Sequence, residues 1–227
     1  DLDYYRPVSN PISHIEEFIK HFSRLKDELI SPADYLSYAE KNLKKSKGEE
    51  VAQARNQLEL AKAYQRYQEL MLQEGNLDYG DQIYLAYKLL SENPAVLKKV
   101  QQQFKYILVD EFQDTNYAQY ELVKLIAQKN KNITVVGDDD QSIYRFRGAS
   151  ISNILSFNHD YPTAKQVVLN ENYRSTQEIL DASYKLIRHN DPDRLEVQNK
   201  INKRLKAQKR GDLPEILSGE TLSDEAD

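Results

Sequence analysis

Apolar residues in the first ninety positions recur at the three- and four-residue spacing of amphipathic helices. The first helix ends or restarts at Ser31-Pro32, and a longer one follows the polar stretch 44–50 and ends at Gly75-Asn76. Such stripes are more often core than cofactor contacts, so this part of the chain predicts a helical subdomain. The apolar positions are Ile15, Phe18, Ile19, Phe22 and Leu25, then Val51, Ala54, Leu58, Ala61, Tyr64, Tyr67 and Leu70.

From Phe104 onward the pattern changes to short apolar runs separated by helical stretches. The runs are Tyr106–Val109, Ile133–Val136 and Gln166–Leu169, and Tyr117–Gln128 has the character of a crossover helix. Runs of this kind suit strands of a parallel sheet buried on both faces. The sequence therefore predicts an α/β fold in which a helical subdomain is followed by part of a parallel-sheet domain.

Composition limits the class of protein. The 227 residues are 40% hydrophobic, with no cysteine and a single methionine, Met71. No apolar run reaches the roughly 20 residues that span a bilayer, and the start lacks the features of a signal peptide. Because the only methionine is internal, we expect a piece excised from a longer protein. Because the chain has no membrane-spanning run and no signal peptide, we expect a cytoplasmic location and no membrane partner.

The formal charge of -5 is unevenly distributed. Residues 211–227 carry six acids and no base, whereas 194–210 carry seven bases and one acid. The basic run is more typical of a solvated helix face than of a phosphate-binding stripe, and both interpretations stay open.

One apolar run ends in two acids, Asp110 and Glu111, at the edge of the predicted sheet where open α/β folds bind ligands. In a Walker B arrangement, Asp110 holds Mg²⁺, and Glu111, which can also serve the metal, orients or deprotonates the attacking water. The pattern alone is weak evidence for a Walker B site, since a strand followed by a helix N-cap and an acid in the first turn of that helix has the same sequence pattern.

The surrounding residues resemble the UvrD/Rep/PcrA helicase family. Asp110–Thr115 resembles its second motif, Gly137–Ala149 its third and Leu169–Ser175 its fourth. Leu77–Ile83 resembles an acidic segment of the family, although Gly80 stands where an acid is common. The four matches occur in the family's order and span 77–175.

The resemblance implies roles for three further residues at an ATP site. Gln141 would sense the γ-phosphate and couple it to DNA, and Arg174 would neutralise charge on that phosphate during transfer. Tyr173 would stack on the adenine. Without the motifs, these residues would be interpreted as a turn-capping amide, a surface ion pair and a half-buried tyrosine.

The segment 142–147 alternates aromatic rings with cations, which is the chemistry of a track for single-stranded DNA. We assign Tyr144, Phe146 and Arg147 to DNA contact; several relatives have tryptophan at the position of Phe146. Outside the motif, an aromatic pair spaced by two is more often one face of a strand or core.

No P-loop is present, because none of the seven glycines is followed by lysine. The resemblance places this loop upstream and the fifth and sixth motifs downstream. It implies a helical insertion subdomain at 1–76, the later half of a RecA-like P-loop NTPase domain at 77–175 and the start of a second RecA-like domain at 176–227. The isolated chain is then expected to be inactive.

The expected whole is an ATP- and Mg²⁺-dependent DNA helicase acting on single-stranded DNA and single/double-strand junctions. It would need the P-loop and C-terminal motor segments of the same protein. A non-catalytic DNA- or protein-binding regulatory module derived from such a helicase is the alternative. Helicase-nuclease subunits often carry lysine before the third-motif glutamine, whereas Asp140 stands there in this chain.

Overall fold

The computed structural model describes residues 4–5, 12–142 and 151–215, with residues 151 and 152 described by their backbone alone. The chain divides into two units: one holds residues up to 138 together with 142–154, and the other holds 139–141 and 155 onward. Helix α7 (Ile151–Asp160) runs across this division. The three residues assigned to DNA contact, Tyr144, Phe146 and Arg147, lie outside the described residues.

Six helices of the first unit precede or connect its strands. The predicted helices are confirmed as α1 and α3, and the predicted crossover helix as α6. The helices are α1 (Ile15–Asp27), α2 (Pro32–Lys45), α3 (Glu50–Gln73), α4 (Tyr79–Glu92), α5 (Pro94–Gln103) and α6 (Tyr117–Ala127).

Local chemistry explains where α2 begins and α3 ends. The Ser31 hydroxyl accepts from the backbone N–H of Asp34 at 3.0 Å, while the Asp34 carboxylate accepts from the N–H of Ser31, so the two form a capping box. Beyond α3, Gly75 has a φ of +67°, a left-handed conformation that a glycine adopts without strain. The predicted stop signals are thus confirmed.

Aromatic packing forms the core of the helical part. The ring of Phe22 stacks on Tyr64 with centroids 4.9 Å apart, and Tyr64 is fully buried. Its hydroxyl donates to the carbonyl of Ile30 at 3.3 Å. The buried cluster comprises Phe22, Leu25, Tyr35, Ala39, Ala61 and Tyr64.

Helix α1 is also fixed to α4 by a buried ion-pair network. Lys26 is 1% exposed, and its Nζ lies 2.6 Å from Asp78 Oδ2 and 2.8 Å from Asp81 Oδ1. The same two acids form the capping box that begins α4. The helical stretch before residue 76 therefore packs directly on the element after it, and the domain boundaries at 76 and 175 stay predictions.

The sheet of the first unit pairs β1 (Ile107–Val109) with β2 (Ile133–Val135) in parallel, with Ile107 opposite Ile133. Two predicted strands and the α/β class are therefore confirmed. The prediction that these strands are buried on both faces is wrong for the described residues. Leu108 is 77% exposed, because alternate side chains of a strand point to opposite faces and only the face of its neighbours is half-buried.

The second unit contains a separate parallel pair, β3 (Glu171–Thr176) and β4 (Lys206–Lys209), with α8 (Gln177–Ile187) and the short α9 (Leu195–Gln198). The predicted strand at Gln166–Leu169 is wrong. That run precedes β3 and belongs to no strand, and Leu169 is 78% exposed. Within the described parts of the chain, no helix is both long and apolar enough to cross a membrane.

Candidate functional site

The two acids predicted at the end of the first strand stand directly after β1. Both are exposed, and the N–H of Glu111 donates to Asp110 Oδ1 at 2.9 Å. Glu111 has a φ of 48°, in the left-handed region that non-glycine residues seldom adopt. Such local strain often marks functional positions, where the surroundings must hold the residue in place.

The side chain of Gln113 fixes the carboxylate of Glu111 by a hydrogen bond. This side chain is buried, and its Nε2 donates to Glu111 Oε2 at 2.7 Å. Its Oε1 accepts from the backbone N–H of Asp138 at 3.0 Å. One amide therefore links the carboxylate after β1 to the backbone after β2.

Gly137 leaves the space that this link requires. A Cβ at this position would stand 2.8 Å from Gln113 Oε1 and 3.1 Å from Ile154 Cδ1. The first distance is too short for carbon and oxygen, so a side chain here would displace the amide. Glycine is needed at this point for close approach rather than for a special backbone angle.

The helix that follows the acid pair is anchored at its first turn. Asn116 begins α6 with a capping box, and its Nδ2 donates to Asp27 Oδ1 at 2.7 Å. Asn153, which is 4% exposed, donates through its Nδ2 to the carbonyls of Thr115 and Asn116 at 3.0 and 3.2 Å. The carboxyl end of the segment 110–116 is thereby fixed within the first unit.

The short helical turn Asp139–Gln141 belongs to the second unit. Arg194 donates from Nε to Asp140 Oδ1 and from Nη2 to Asp140 Oδ2, each at 2.7 Å. Burial is the largest single influence and would raise the pKa of Asp140, but the hydrogen bonds and charges of Arg194 and Lys203 together outweigh it and lower that pKa below its ordinary value. The carboxylate of Asp140 is therefore charged and bound to Arg194 and Lys203.

Asp139 is held from the same side. Its carboxylate accepts from the backbone N–H of Leu195 at 2.7 Å and forms an ion pair with Lys203. Lys203 also reaches Asp140, with its Nζ 3.1 Å from Oδ2. Gln141, at the end of this turn, is exposed.

The remaining predicted ATP-site residues lie on β3. Tyr173 is 71% exposed, and Arg174 is also exposed. The N–H of Arg174 donates to Asn172 Oδ1 at 3.1 Å, which fixes its backbone and leaves the guanidinium at the surface. The structure thus groups Gln141, Tyr173 and Arg174 in the second unit, whereas Asp110 and Glu111 belong to the first.

Two residues with a structural part in this arrangement were not predicted from the sequence. Gln113 lies inside a recognised motif, but nothing in the letters shows that it contacts both Glu111 and Asp138. Arg194 lies 54 positions from Asp140 and was visible only as one member of the basic run.

Ion pairs within the second unit argue against a phosphate-binding stripe in that run. The solvated-helix interpretation is also wrong, because the run contains only the four-residue α9 and the strand β4, and Arg194 is 4% exposed. Besides Arg194 and Lys203, Arg204 lies 3.1 Å from an oxygen of Asp181, and Arg210 lies 3.3 Å from one of Glu178. Four of the seven bases are therefore paired with acids of the same unit.

Family comparisons agree with the order of the motifs. Residues 5–162 match the family model described as the UvrD/REP helicase N-terminal domain. Residues 167–227 match the model of the UvrD-like helicase C-terminal domain. Together the two matches leave few residues of the chain uncovered.

Curated relatives include proteins named ATP-dependent DNA helicase PcrA. The relative from Leuconostoc citreum is 43% identical over 180 residues, which are 78% of this chain and 22% of that protein. Those from Staphylococcus epidermidis and Staphylococcus aureus are 47% identical over 173 residues, 76% of this chain and 22% of each relative. The chain thus spans about a fifth of the length of the relatives it matches.

Proposed function

The chain belongs to the UvrD/REP helicase family, and from this membership we propose that it supplies part of the ATP site of a DNA helicase. The complete protein would couple ATP hydrolysis to movement on single-stranded DNA and to duplex unwinding. The observation that carries the proposal is the amide bridge of Gln113 from Glu111 to Asp138. It joins the ends of two parallel strands at the sheet edge where α/β folds bind nucleotides.

Asp110 is the residue that fits a Mg²⁺ ion. It offers an exposed carboxylate at the end of β1, and oxygen donors of this kind suit a hard cation that keeps most of its water shell. A bound Mg²⁺ would neutralise charge on the outer phosphates of ATP. Glu111 stands next to it and is a second candidate for contact with the metal or its waters.

Glu111 is also the candidate general base. Hydrolysis requires a water aligned with the γ-phosphate, and a carboxylate held in one orientation can accept its proton. The hydrogen bond from Gln113 Nε2 and the fixed left-handed backbone provide that orientation.

Two further residues would respond to the γ-phosphate. Gln141 would donate to that phosphate through its amide, and Arg174 would stabilise the charge that develops on it during transfer. Tyr173, with its ring exposed, would stack on the adenine. These assignments rest on the positions of the three residues within the family motifs.

The DNA partner would meet the segment that follows Gln141. Tyr144 and Phe146 would stack on successive bases, and Arg147 would contact phosphates of single-stranded DNA or of a junction with duplex. Because Tyr144 follows Gln141 by three residues, a change at the phosphate sensor has a short path to the DNA track.

ATP binding by the isolated chain should be weak, since the sequence contains no glycine followed by lysine to cradle the phosphates. The P-loop and the later motor segments would come from the rest of the complete protein. Calorimetric titration of the chain with a non-hydrolysable ATP analogue and Mg²⁺ measures this affinity, and tight Mg²⁺-dependent binding would contradict the expectation.

Unwinding of a labelled partial duplex by the complete protein tests the proposed function. We expect strand separation that requires both ATP and Mg²⁺. If the protein binds the same DNA with no strand separation and no ATP consumption, the proposal fails and a non-catalytic DNA-binding module is supported instead.

A further inference from the structure

The turn that carries Gln141 is held by side chains from a distant part of the sequence. It contains only three residues, Asp139–Gln141, and its first two are bound to the stretch 194–203. That stretch lies outside all four motif matches. Its contacts therefore suggest a part in the ATP site that the motifs do not reveal.

Arg194 makes the most constrained of these contacts. Its side chain is 4% exposed, and two of its nitrogens meet the two oxygens of Asp140 at 2.7 Å each. This parallel pair of charge-assisted hydrogen bonds fixes direction as well as distance. A third nitrogen, Nη1, lies 3.4 Å from Asp191 Oδ1, and the guanidinium stands 5.5 Å from the ring centre of Tyr184.

The preceding acid is fixed independently. Asp139, almost fully buried, is bound by the N–H of Leu195, the residue next to Arg194, and by the ammonium of Lys203. Two consecutive residues of a three-residue turn are thus anchored by charged or backbone donors. Little backbone freedom remains for Gln141, which follows them directly.

We infer that Arg194 is a positioning residue for Gln141, supported by Lys203. By clamping Asp140, it fixes the backbone that leads directly into Gln141 and so holds the phosphate-sensing amide in place. The inference rests on the proposed role of Gln141.

Replacing Arg194 with lysine in the complete helicase tests the inference. Lysine keeps the charge but is a point donor that cannot reproduce the two-pronged contact with Asp140. We expect the kcat of DNA-stimulated ATP hydrolysis to fall between about tenfold and a hundredfold, the range that a small misplacement of a catalytic group can cause. The KM for ATP should change less than about twofold, because the loss falls mainly on the transition state.

The matched control is Arg210→Lys, the same substitution at an 80% exposed side chain of the same unit. It should leave kcat unchanged. Asp140→Asn provides a second variant that removes the charged partner with little change in size. If Arg194→Lys does not fold, as judged by its thermal melt, Asp140→Asn decides the question.

Combination with Gln141→Ala separates positioning from general stability. If Arg194 acts through Gln141, the double variant should be no slower than Gln141→Ala alone. Full additivity of the two losses, or normal kcat in both Arg194→Lys and Asp140→Asn, would overturn the inference. A wild-type protein without DNA-stimulated ATP hydrolysis would instead contradict the proposed function itself.

Discussion

Gln113 has no charge, yet both ends of its buried amide are used at the sheet edge. Its Nε2 donates to Glu111 and its Oε1 accepts from the N–H of Asp138. Because the amide carries a donor and an acceptor at fixed separation, no other residue of the same size fits both partners. At the residue scale, this side chain orients the candidate base.

Gln113→Glu retains the size and the acceptor for Asp138, but it replaces the donor to Glu111 with a second carboxylate. Without that donor Glu111 loses its orientation, so the maximal kcat of the complete helicase should fall by about tenfold or more. Steady-state rates of ATP hydrolysis measure this effect.

Gln103→Glu is the matched control, since it adds the same charge at an exposed position on α5. Its kcat should equal that of the wild type. A Gln113→Glu variant with normal kcat would show that the amide has no part in orienting Glu111.

Sequence reasoning found some site residues and not others for a physical reason. Asp110 and Glu111 were visible because an apolar strand and its terminal acids are adjacent in the chain. Asp138, the distant partner of Gln113, lies 25 positions from it, and Asp140 lies 54 positions from Arg194; hydrogen bonds over such separations depend on the tertiary fold. The roles assigned to Gln141, Tyr173 and Arg174 stay predictions.

At the scale of elements, the contact between α1 and α4 depends on a buried lysine. Lys26→Ala would leave Asp78 and Asp81 without their cation in a site from which water is largely excluded. Breaking a buried pair in this way costs about 3–5 kcal/mol. The free energy of unfolding, measured with urea, should fall by that amount.

Lys88→Ala is the comparison for that measurement. Lys88 and Glu92 are both exposed and form an ion pair with a distance of 4.0 Å, one turn apart on α4. The loss of this ion pair should cost less than about 1 kcal/mol. Equal losses in the two variants would contradict the assignment of the Lys26 network as a main fixation of α1.

Strand prediction succeeded where apolar residues form the ladder and failed where they do not. β1 is apolar throughout and β2 contains a single polar residue, Thr134, and the sequence located both strands. β4 has the sequence Lys-Ala-Gln-Lys, and its partner β3 is mostly polar. The pairing of β3 with β4 depends on backbone hydrogen bonds and on contacts with neighbours such as α8, and these interactions leave no apolar pattern in the sequence. The apolar run at Gln166–Leu169, in contrast, lies outside the ladder.

At the scale of the whole molecule, the family motifs are distributed over two units. The first holds the acid pair, its amide bridge and the helical part, and the second holds the sensor turn and β3. The proposed motor also depends on segments supplied by the rest of the complete protein.

ATP hydrolysis by the complete protein carrying Glu111→Gln, measured with and without single-stranded DNA, tests the central claim most directly. Glutamine retains the size of Glu111 but cannot accept a proton from water, so hydrolysis should fall to background under both conditions. Binding of single-stranded DNA should match that of the wild type. Wild-type hydrolysis by this variant would contradict the assignment of Glu111, and with it the proposed ATP site.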